Sequence, residues 1–353
     1  MKNILCIGDP HFRVDNIEET QQFTSNLSKY LDENEIDMII VMGDVLHTHE
    51  KIHTFALNAA FDFFKMLSSK NKPVYSLVGN HDATSNTIFL TNNHWMNVLK
   101  GWKNLTIIDY PLKVQVENNF IVLCPYVPDG RFKEALNHID DWKESICVFG
   151  HQLIDGAKMG MIVAKDVENW NENYPMLVSG HIHDKQWIGK NVYYTGSSLQ
   201  HGFGETGDKS LSLVKLPYES DGKNNILVEE IYLEIKKKKI IYADVSDLDE
   251  IKEKLNEDIE YKIVLSGNEN DFKALKNSSL YKDTLKLDNI KDIKFKTKIK
   301  KDENQEDNKV IQDDFVECLN TLIERESNPY LTSLYEHVIY GKEDISDKDI
   351  FFM

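Results

Sequence analysis

The sequence predicts an α/β fold in which two β-sheets form a sandwich flanked by helices. Over the first two thirds of the chain, short apolar runs alternate with amphipathic helical patterns, which is typical of a mainly parallel sheet covered by helices. Further along, the predicted strands follow one another at short spacing, which predicts antiparallel pairs and favours two sheets over one open sheet. The sequence contains no stretch of about 18 apolar residues, so it predicts no transmembrane helix.

The apolar runs give the order of these elements. Amphipathic helices are predicted at residues 18–34 and 53–68, because apolar residues there recur every three or four positions. Each helix stands between two strands, which predicts parallel pairing of those strands. Strands are predicted at residues 4–7, 38–42, 74–78, 120–124, 146–149, 176–178, 192–194 and 211–215.

The composition changes near residue 234, where IYLEIKKKKIIYADVSDL carries four consecutive lysines. The residues that follow predict a small unit with a β-α-β-α-β pattern. The stretch KDENQEDNK at 301–309 has no apolar residue and predicts a flexible linker, after which two amphipathic helical patterns follow. We therefore predict three parts, at residues 1–233, 234–302 and 303–353.

Charge and cysteine content restrict the class of protein. The net charge of −17 argues against a protein that coats nucleic acid through bulk charge, but it leaves room for an enzyme with a local basic patch. The four cysteines form no CxxC pair, and three lie in apolar strand-like runs, which predicts buried thiols and a cytoplasmic location. The start of the chain, MKNILCIGDPHF, lacks the apolar length and cleavage site of a signal peptide.

Five apolar strands end in a glycine that is followed by a metal-capable polar residue. The stretches are ILCIGDPH, IIVMGDVLH, SLVGNHD, CVFGHQ and LVSGHIH. The carboxyl ends of strands in an α/β protein form the rim where ligands collect, and glycine there allows the backbone to approach a ligand closely. We therefore expect one site formed by Asp9, His11, Asp44, Asn80, His81, His151, His181 and His183.

This set of side chains predicts two bound divalent cations. Without cations, so many ionisable groups at one site would be costly. Imidazole and carboxylate ligands without thiolate suit Mn, Fe, Zn or Co, and eight candidates exceed what one ion needs. A two-metal site activates water and clamps the oxygens of a phosphoryl displacement. Asn80 is expected to coordinate, and His81 to face the leaving oxygen.

The remaining histidines give weaker signals. A single GD or GH after a strand is common, so chance or a helix cap could explain any one of these motifs. The prediction depends on all five together. His47, His49 and His53 follow Asp44 in a loop that enters a helix, and we expect His49 and His53 to be surface residues. Three others are expected to be ordinary surface or core residues: His94, His138 and His337.

In order and spacing, these motifs resemble those of calcineurin-like metallophosphoesterases over residues 1–215. The resemblance implies a four-layer αββα sandwich with a small α+β cap domain and C-terminal helices. It implies that one metal ion is held by Asp9, His11, Asp44 and His183. It implies that the second ion is held by Asp44, which bridges, with Asn80, His151 and His181. It also implies that His81 is the general acid and that Asp82 orients it.

Within that family, the chain resembles the SbcD-type DNA nucleases, which act with SbcC-type, SMC-like ATPases. GDVLH places His47 where the resemblance implies a role in positioning the phosphate, and VYYTGSSLQHGFGETGDKSL resembles the segment that closes the nuclease domain. The unit at 234–302 resembles a capping domain that helps grip DNA, and the C-terminal helices resemble the segment that docks on the ATPase. The chain departs from this group at DPHF, where D-x-H-L-G is frequent.

This resemblance implies an Mn²⁺-dependent exonuclease or endonuclease that acts on DNA ends in recombination or repair. The implied partners are DNA, the ATPase and a second copy of the chain in a homodimer, with a cytoplasmic location or, if phage-encoded, the host cytoplasm. Five lysines at 291–300 are expected to share one face of a strand, where they could contact DNA or protect a solvated edge strand: Lys291, Lys294, Lys296, Lys298 and Lys300. The alternatives are a phosphatase, a small-molecule or cyclic-nucleotide phosphodiesterase, or an inactive scaffold for the ATPase.

Overall fold

Two facing β-sheets form the central layers of the structure, a computed structural model that describes residues 1–48, 51–205, 208–217 and 225–297. The α-helices are α1 (Ile17–Glu33), α2 (Thr54–Ser69), α3 (Phe132–Leu136), α4 (Leu248–Glu253), α5 (Glu269–Asn277) and α6 (Ser279–Thr284). The strands are β1 (Lys2–Ile7), β2 (Met38–Val41), β3 (Val74–Leu77), β4 (Leu105–Ile108), β5 (Leu112–Val116), β6 (Asn119–Leu123), β7 (Cys147–His151), β8 (Lys158–Met159), β9 (Ile162–Val163), β10 (Met176–Gly180), β11 (Gln186–Ile188), β12 (Val192–Tyr194), β13 (Leu211–Leu216), β14 (Leu227–Ile231), β15 (Lys237–Asp244), β16 (Ile259–Gly267) and β17 (Ile290–Thr297).

Both sheets have a parallel centre, with antiparallel strands at one edge of the first sheet and at both edges of the second. The first sheet has the order β14-β13-β1-β2-β3-β4, with β1 to β4 parallel and β13 antiparallel to β1. The second has the order β11-β12-β10-β7-β6-β5, with β6, β7, β10 and β12 parallel. The predicted antiparallel pairing is correct for β13. It is wrong for β10 and β12, because β11 turns the chain back between them and lets them pair in parallel.

Alternating side chains of the strands divide the core into layers. In β1, Leu5 and Ile7 pack toward α1 and α2, while Ile4 and Cys6 enter the space between the sheets. On the far side of the second sheet, α3 and the short helix Trp142–Glu144 cover the outward-facing side chains of β6, β7 and β10. The result is the predicted α/β sandwich, with helices outside two sheets.

The two long helices form where the sequence places apolar residues at helical spacing. In α1, the buried residues Phe23, Leu27 and Leu31 follow one another every four positions and face the first sheet. The α2 helix begins after His53, whose side chain accepts a hydrogen bond from the Phe55 backbone N–H at 3.3 Å. The exposed His53 therefore caps a helix, which agrees with its predicted surface role.

A third sheet, with the order β15-β16-β17, follows the sandwich in the chain. Strand β15 runs parallel to β16, and α4, α5 and α6 cover a core that includes Leu248, Tyr261, Ile263 and Leu265. This agrees with the predicted order of strands and helices. The boundary at 233/234 stays a prediction. The predicted linker, the C-terminal helices, Cys318 and His337 lie outside the described residues, as does His49.

Two further sequence expectations concern the cysteines and membrane-spanning helices. Cys6, Cys124 and Cys147 are buried thiols, as predicted, and burial raises their pKa values. Within the described ranges, every helix is too short or too polar to span a membrane.

The lysines of β17 do not share one face as expected. Lys294 and Lys296 are exposed, two residues apart, whereas Lys291 precedes Lys294 by three and pairs with Glu260 at 2.9 Å. Lys298 and Lys300 lie outside the described residues.

The packing of α2 predicts a large effect of one core substitution. Phe63 is fully buried, with its ring centroid 5.4 Å from that of Phe12 and 6.2 Å from that of Phe23. Phe63→Ala should lower the free energy of unfolding by about 3–5 kcal/mol, because it opens a cavity under the helix. The control is Phe55→Ala on the same helix, where the side chain is 63% exposed. Equal denaturant midpoints for the two variants would contradict this packing.

Candidate metal centre

The five strand ends singled out in the sequence meet at one rim of the sandwich. Asp9 follows β1, Asp44 follows β2 and Asn80 follows β3, all in the first sheet. In the second sheet, His151 ends β7 and His181 follows β10. A hydrogen bond from the His151 ring to the Met42 carbonyl, 2.7 Å long, joins the two sheets at this rim. The predicted convergence of loops that are distant along the chain is therefore present.

One group of candidate ligands surrounds His11. Its Nε2 lies 3.0 Å from Nε2 of His183 and 3.6 Å from Oδ2 of Asp44. Asp9 joins the group, since one ligand atom from each of Asp9, His11 and Asp44 lies within 4.8 Å of the others. These are the four residues that the family resemblance assigns to the first ion.

A second group surrounds the amide oxygen of Asn80. Asn80 Oδ1 lies 3.0 Å from Nε2 of His151 and 2.9 Å from Nδ1 of His181. His151 Nε2 also lies 3.3 Å from Oδ2 of Asp44, so this carboxylate oxygen stands between the two groups. Asp44 therefore has the position expected of a bridging ligand.

The chemistry of these donors fits two divalent cations. Carboxylate, amide and imidazole groups converge here without a thiolate, a set that suits Mn, Fe, Zn or Co. The His151 ring gives its Nδ1 proton to a carbonyl, which can only accept, so Nε2 is the nitrogen that faces the site and can bind a cation once it has lost its proton. Such a hydrogen bond from the far ring nitrogen is usual for metal-binding histidines. The residues present could hold both ions.

Backbone strain is concentrated at these residues. Four non-glycine residues of the site have positive φ angles: Asp9 (33°), His11 (43°), Asp44 (49°) and His181 (81°). L-residues rarely adopt this region, and such conformations persist where the surrounding structure holds them for function. These four residues lie within four positions of the ends of their strands, where the chain turns at the site.

Two glycines are required because the loops approach each other closely. A Cβ at position 79 would lie 2.1 Å from Oδ1 of Asp44. A Cβ at position 180 would lie 2.8 Å from the Met42 carbonyl oxygen and 2.9 Å from Nδ1 of His151. The glycines of the GNHD and GHIH motifs therefore make room for neighbouring ligands.

Burial and mutual interaction shift the pKa values of the ligands in opposite directions. Burial raises the pKa of Asp9 to about 7, and repulsion from Asp44 contributes to the rise. Burial also opposes ionisation of Asp44, but the charge and hydrogen bond of His151 lower its pKa below the ordinary range. For His151, burial is outweighed by Asp44, which raises the pKa to about 9. Burial lowers the pKa of His181 to about 3, so its ring is neutral and able to bind a cation.

His81 and His47 lie together beside the His11 group. The His81 backbone N–H donates to Oδ1 of Asp44 at 2.8 Å, and its ring Nδ1 donates to the His47 carbonyl at 2.6 Å. The two rings stack with centroids 5.6 Å apart, and His47 Nδ1 lies 3.4 Å from Nδ1 of His11. Both predicted catalytic histidines are therefore at the site, and their catalytic roles stay predictions.

Asp82 acts on the loop backbone. Its carboxylate accepts hydrogen bonds from the backbone N–H groups of Gly79, Val45 and Leu46 and from the indole N–H of Trp95 at 2.9 Å. Asp82 can therefore orient His81 only indirectly, by holding the loops that carry the ligands. The group that contacts the His81 ring itself is the His47 carbonyl.

The sequence reasoning missed His201, which lies in SSLQHGFGE. Its Nε2 donates to the Asp9 carbonyl at 2.8 Å, and its carbonyl accepts from Nη2 of Arg13 at 2.9 Å. Burial lowers the pKa of His201 to about 2. His201 does not directly follow a strand and a glycine, as the predicted ligands do. The one signal in the sequence is that the stretch around it resembles the segment that closes the nuclease domain.

The two described histidines that were expected to have no role at the site have other partners. His94 pairs with Asp109, and His138 pairs with Tyr110.

Comparison with known proteins identifies the family. Residues 2–185 match the family model of calcineurin-like phosphoesterases, and the chain belongs to that family. It is 43% identical over 281 residues to protein 244L of Invertebrate iridescent virus 6, described as a phosphoesterase, covering 78% of this chain and 98% of that protein.

Two more relatives are similar over shorter or weaker matches. The phosphoesterase 078R of Invertebrate iridescent virus 3 is 39% identical over 288 residues, which cover 80% of this chain and 81% of the relative. Exonuclease subunit 1 of Enterobacteria phage T4 is 25% identical over 182 residues, which cover 51% of this chain and 53% of that protein. The chain is therefore a metallophosphoesterase-type hydrolase by family.

The pKa values predict how metal affinity depends on pH. Below pH 7, Asp9 holds a proton that an incoming cation must displace, whereas above pH 7 its carboxylate is ionised. The ligand His151, with a pKa of about 9, also holds a proton over this range. Mn²⁺ affinity should therefore rise with pH by about tenfold per pH unit for each proton displaced, more steeply below pH 7, where two protons are displaced, than between pH 7 and pH 9, where only that of His151 is displaced. Calorimetry in buffers of different ionisation enthalpy would count the protons released. A slope that stays the same on both sides of pH 7 would contradict the assigned protonation of Asp9.

Proposed function

We propose that this chain is a two-metal phosphodiesterase that cleaves DNA at its ends, as an exonuclease, an endonuclease or both. The observation that supports the proposal most is the position of Asp44, whose Oδ2 stands 3.6 Å from the His11 ring and 3.3 Å from the His151 ring. A carboxylate shared by two sets of ligands is what a two-metal centre needs. Bound cations supply an activated water and neutralise charge on the phosphate, and we propose Mn²⁺ as the ion.

The side chains of the site supply orientation and proton transfer. Because the His47 carbonyl accepts the Nδ1 proton of His81, ring rotation is restricted and Nε2 is the nitrogen able to exchange a proton with substrate. His81 then protonates the leaving oxygen, a step that such groups accelerate by about 10²- to 10⁴-fold. His47 stacks beside it and positions the phosphate.

DNA as substrate is supported by two observations. The phage relative is an exonuclease subunit, although it matches half of this chain. The motifs read GDVLHTHE and GNHD, whereas protein phosphatases of the family carry an arginine shortly after GD and read GNHE. With a net charge of −17, the chain should bind DNA weakly alone, so local lysines such as Lys294 and Lys296 and a partner must supply the grip.

A substitution at His81 tests the chemical assignment. His81→Ala should retain two Mn²⁺ ions by metal analysis and lower the cleavage rate of DNA by about 10²- to 10⁴-fold, because the leaving oxygen loses its proton donor. His138→Ala is the matched control, since His138 is an exposed histidine bonded to Tyr110. Wild-type cleavage by His81→Ala would show that the general acid is another group.

The choice of substrate decides between the proposal and its alternatives. The wild-type protein with Mn²⁺ should cleave double- or single-stranded DNA and a small chromogenic phosphodiester. Cleavage of a phosphomonoester or a cyclic nucleotide without cleavage of DNA would favour a phosphatase or a cyclic-nucleotide phosphodiesterase. Absence of all these activities in the metal-loaded protein would favour a scaffold.

We propose in addition that the chain is the nuclease subunit of a complex with an SbcC-type ATPase and that it forms a homodimer. The apolar patterns after the linker, around Phe315 and Leu334, support a helical docking segment. Removing residues 310–353 should leave Mn²⁺-dependent cleavage unchanged and abolish ATPase binding. A pull-down in which the truncated chain still retains the ATPase would refute this role.

A further inference from the structure

His201 lies among the ligands of the first group. Its ring centroid is 4.9 Å from that of His11 and 5.0 Å from that of His183, both edge-on. One ring nitrogen from each of His11, His183 and His201 lies within 4.8 Å of the others. The family motifs account for two of these imidazoles, which leaves the third without an assigned role.

The hydrogen bonds of His201 determine which nitrogen is free. Its Nε2 lies 2.8 Å from the Asp9 carbonyl oxygen, which can only accept, so Nε2 carries the proton and Nδ1 carries a lone pair. Nδ1 is shut off from solvent and has no hydrogen-bond partner among the residues that the structure describes. A buried acceptor without a partner is costly and calls for a group that fills it. His151 shows the same arrangement, with one nitrogen on the Met42 carbonyl and the other facing ligands.

The loop around His201 holds the ring in place from several sides. The His201 backbone N–H donates to Oε2 of Glu205 at 3.2 Å, and its carbonyl accepts from Arg13. Glu205 also pairs with Lys209 at 3.0 Å, and Lys209 donates to the His183 carbonyl at 3.0 Å. This network ties the loop of His201 to the loop of His183, so the two rings keep their mutual position.

We propose that His201 is a further metal ligand, which binds through Nδ1 the cation held by His11 and His183. The inference rests on the metal centre of the proposed function and adds a ligand to the seven that the family motifs supply. A third imidazole on this ion would raise its affinity and favour metals that prefer nitrogen ligands, such as Co²⁺ and Zn²⁺, more than an oxygen-rich site would.

The variant that tests the proposal is His201→Gln. The Gln side chain can still donate to the Asp9 carbonyl, but it lacks the imidazole lone pair. In calorimetry, we expect the affinity for one of the two ions to fall by at least about tenfold. We also expect the visible spectrum of the Co²⁺ protein to change in intensity and shape. His138→Gln is the matched control and should leave both readouts unchanged. Unchanged affinity and an unchanged Co²⁺ spectrum in His201→Gln would overturn the proposal.

A measurement on the wild-type protein gives the answer even where the variant fails to fold. In the Co²⁺-loaded chain, each ligating imidazole should give one hyperfine-shifted, exchangeable N–H signal in the proton spectrum. We expect five such signals, from His11, His151, His181, His183 and His201. Four signals would assign His201 a positioning role only. A wild-type chain that binds no cation would instead refute the metal centre itself, which separates failure of the proposed function from failure of this inference.

Discussion

The structure of the site depends on one carboxylate, that of Asp44. Its Oδ2 lies between the ring of His11, which follows a strand of the first sheet, and the ring of His151, which ends a strand of the second. Its Oδ1 accepts a hydrogen bond from the backbone N–H of His81. This single side chain therefore connects both groups of candidate ligands and the loop of the proposed general acid. Gly79 approaches the same carboxylate closely, and any residue with a Cβ atom at this position would collide with it.

Concentrating buried charge in this way opposes folding, and the sandwich must hold the site together. Asp9 and Asp44 are both fully buried, and repulsion between them contributes to the raised pKa of Asp9. The strained backbone at Asp9 and His181 adds a further cost. The two apolar cores around β1 offset these costs, and bound cations would convert repulsion among the carboxylates into attraction.

Much of this arrangement follows from local pattern. An apolar strand, a glycine and a polar residue recur five times, and because parallel strands share a rim, eight expected site residues could be placed together before the fold was known, while His47 and Asp82 were added by the family resemblance. The predicted strands and helices agree with observed ones to within a few residues, since a buried strand and an amphipathic helix each have a characteristic spacing. The strands β4, β5, β8, β9, β11 and β14 were not predicted. The pairing of β10 with β12 was not accessible, because β11 between them is a three-residue strand without a strong apolar signal.

The sequence alone determined the ligand types, their order and their place after the strands, because covalent neighbours and periodicity fix these. Only the tertiary structure decided which groups touch. His201 contacts Asp9 across 192 positions of the chain, and Asp82 binds the backbone of the loop after β2, the backbone of its own loop and the Trp95 indole. Such contacts depend on how loops from separate strands pack at one rim, and no local spacing of residues encodes that packing.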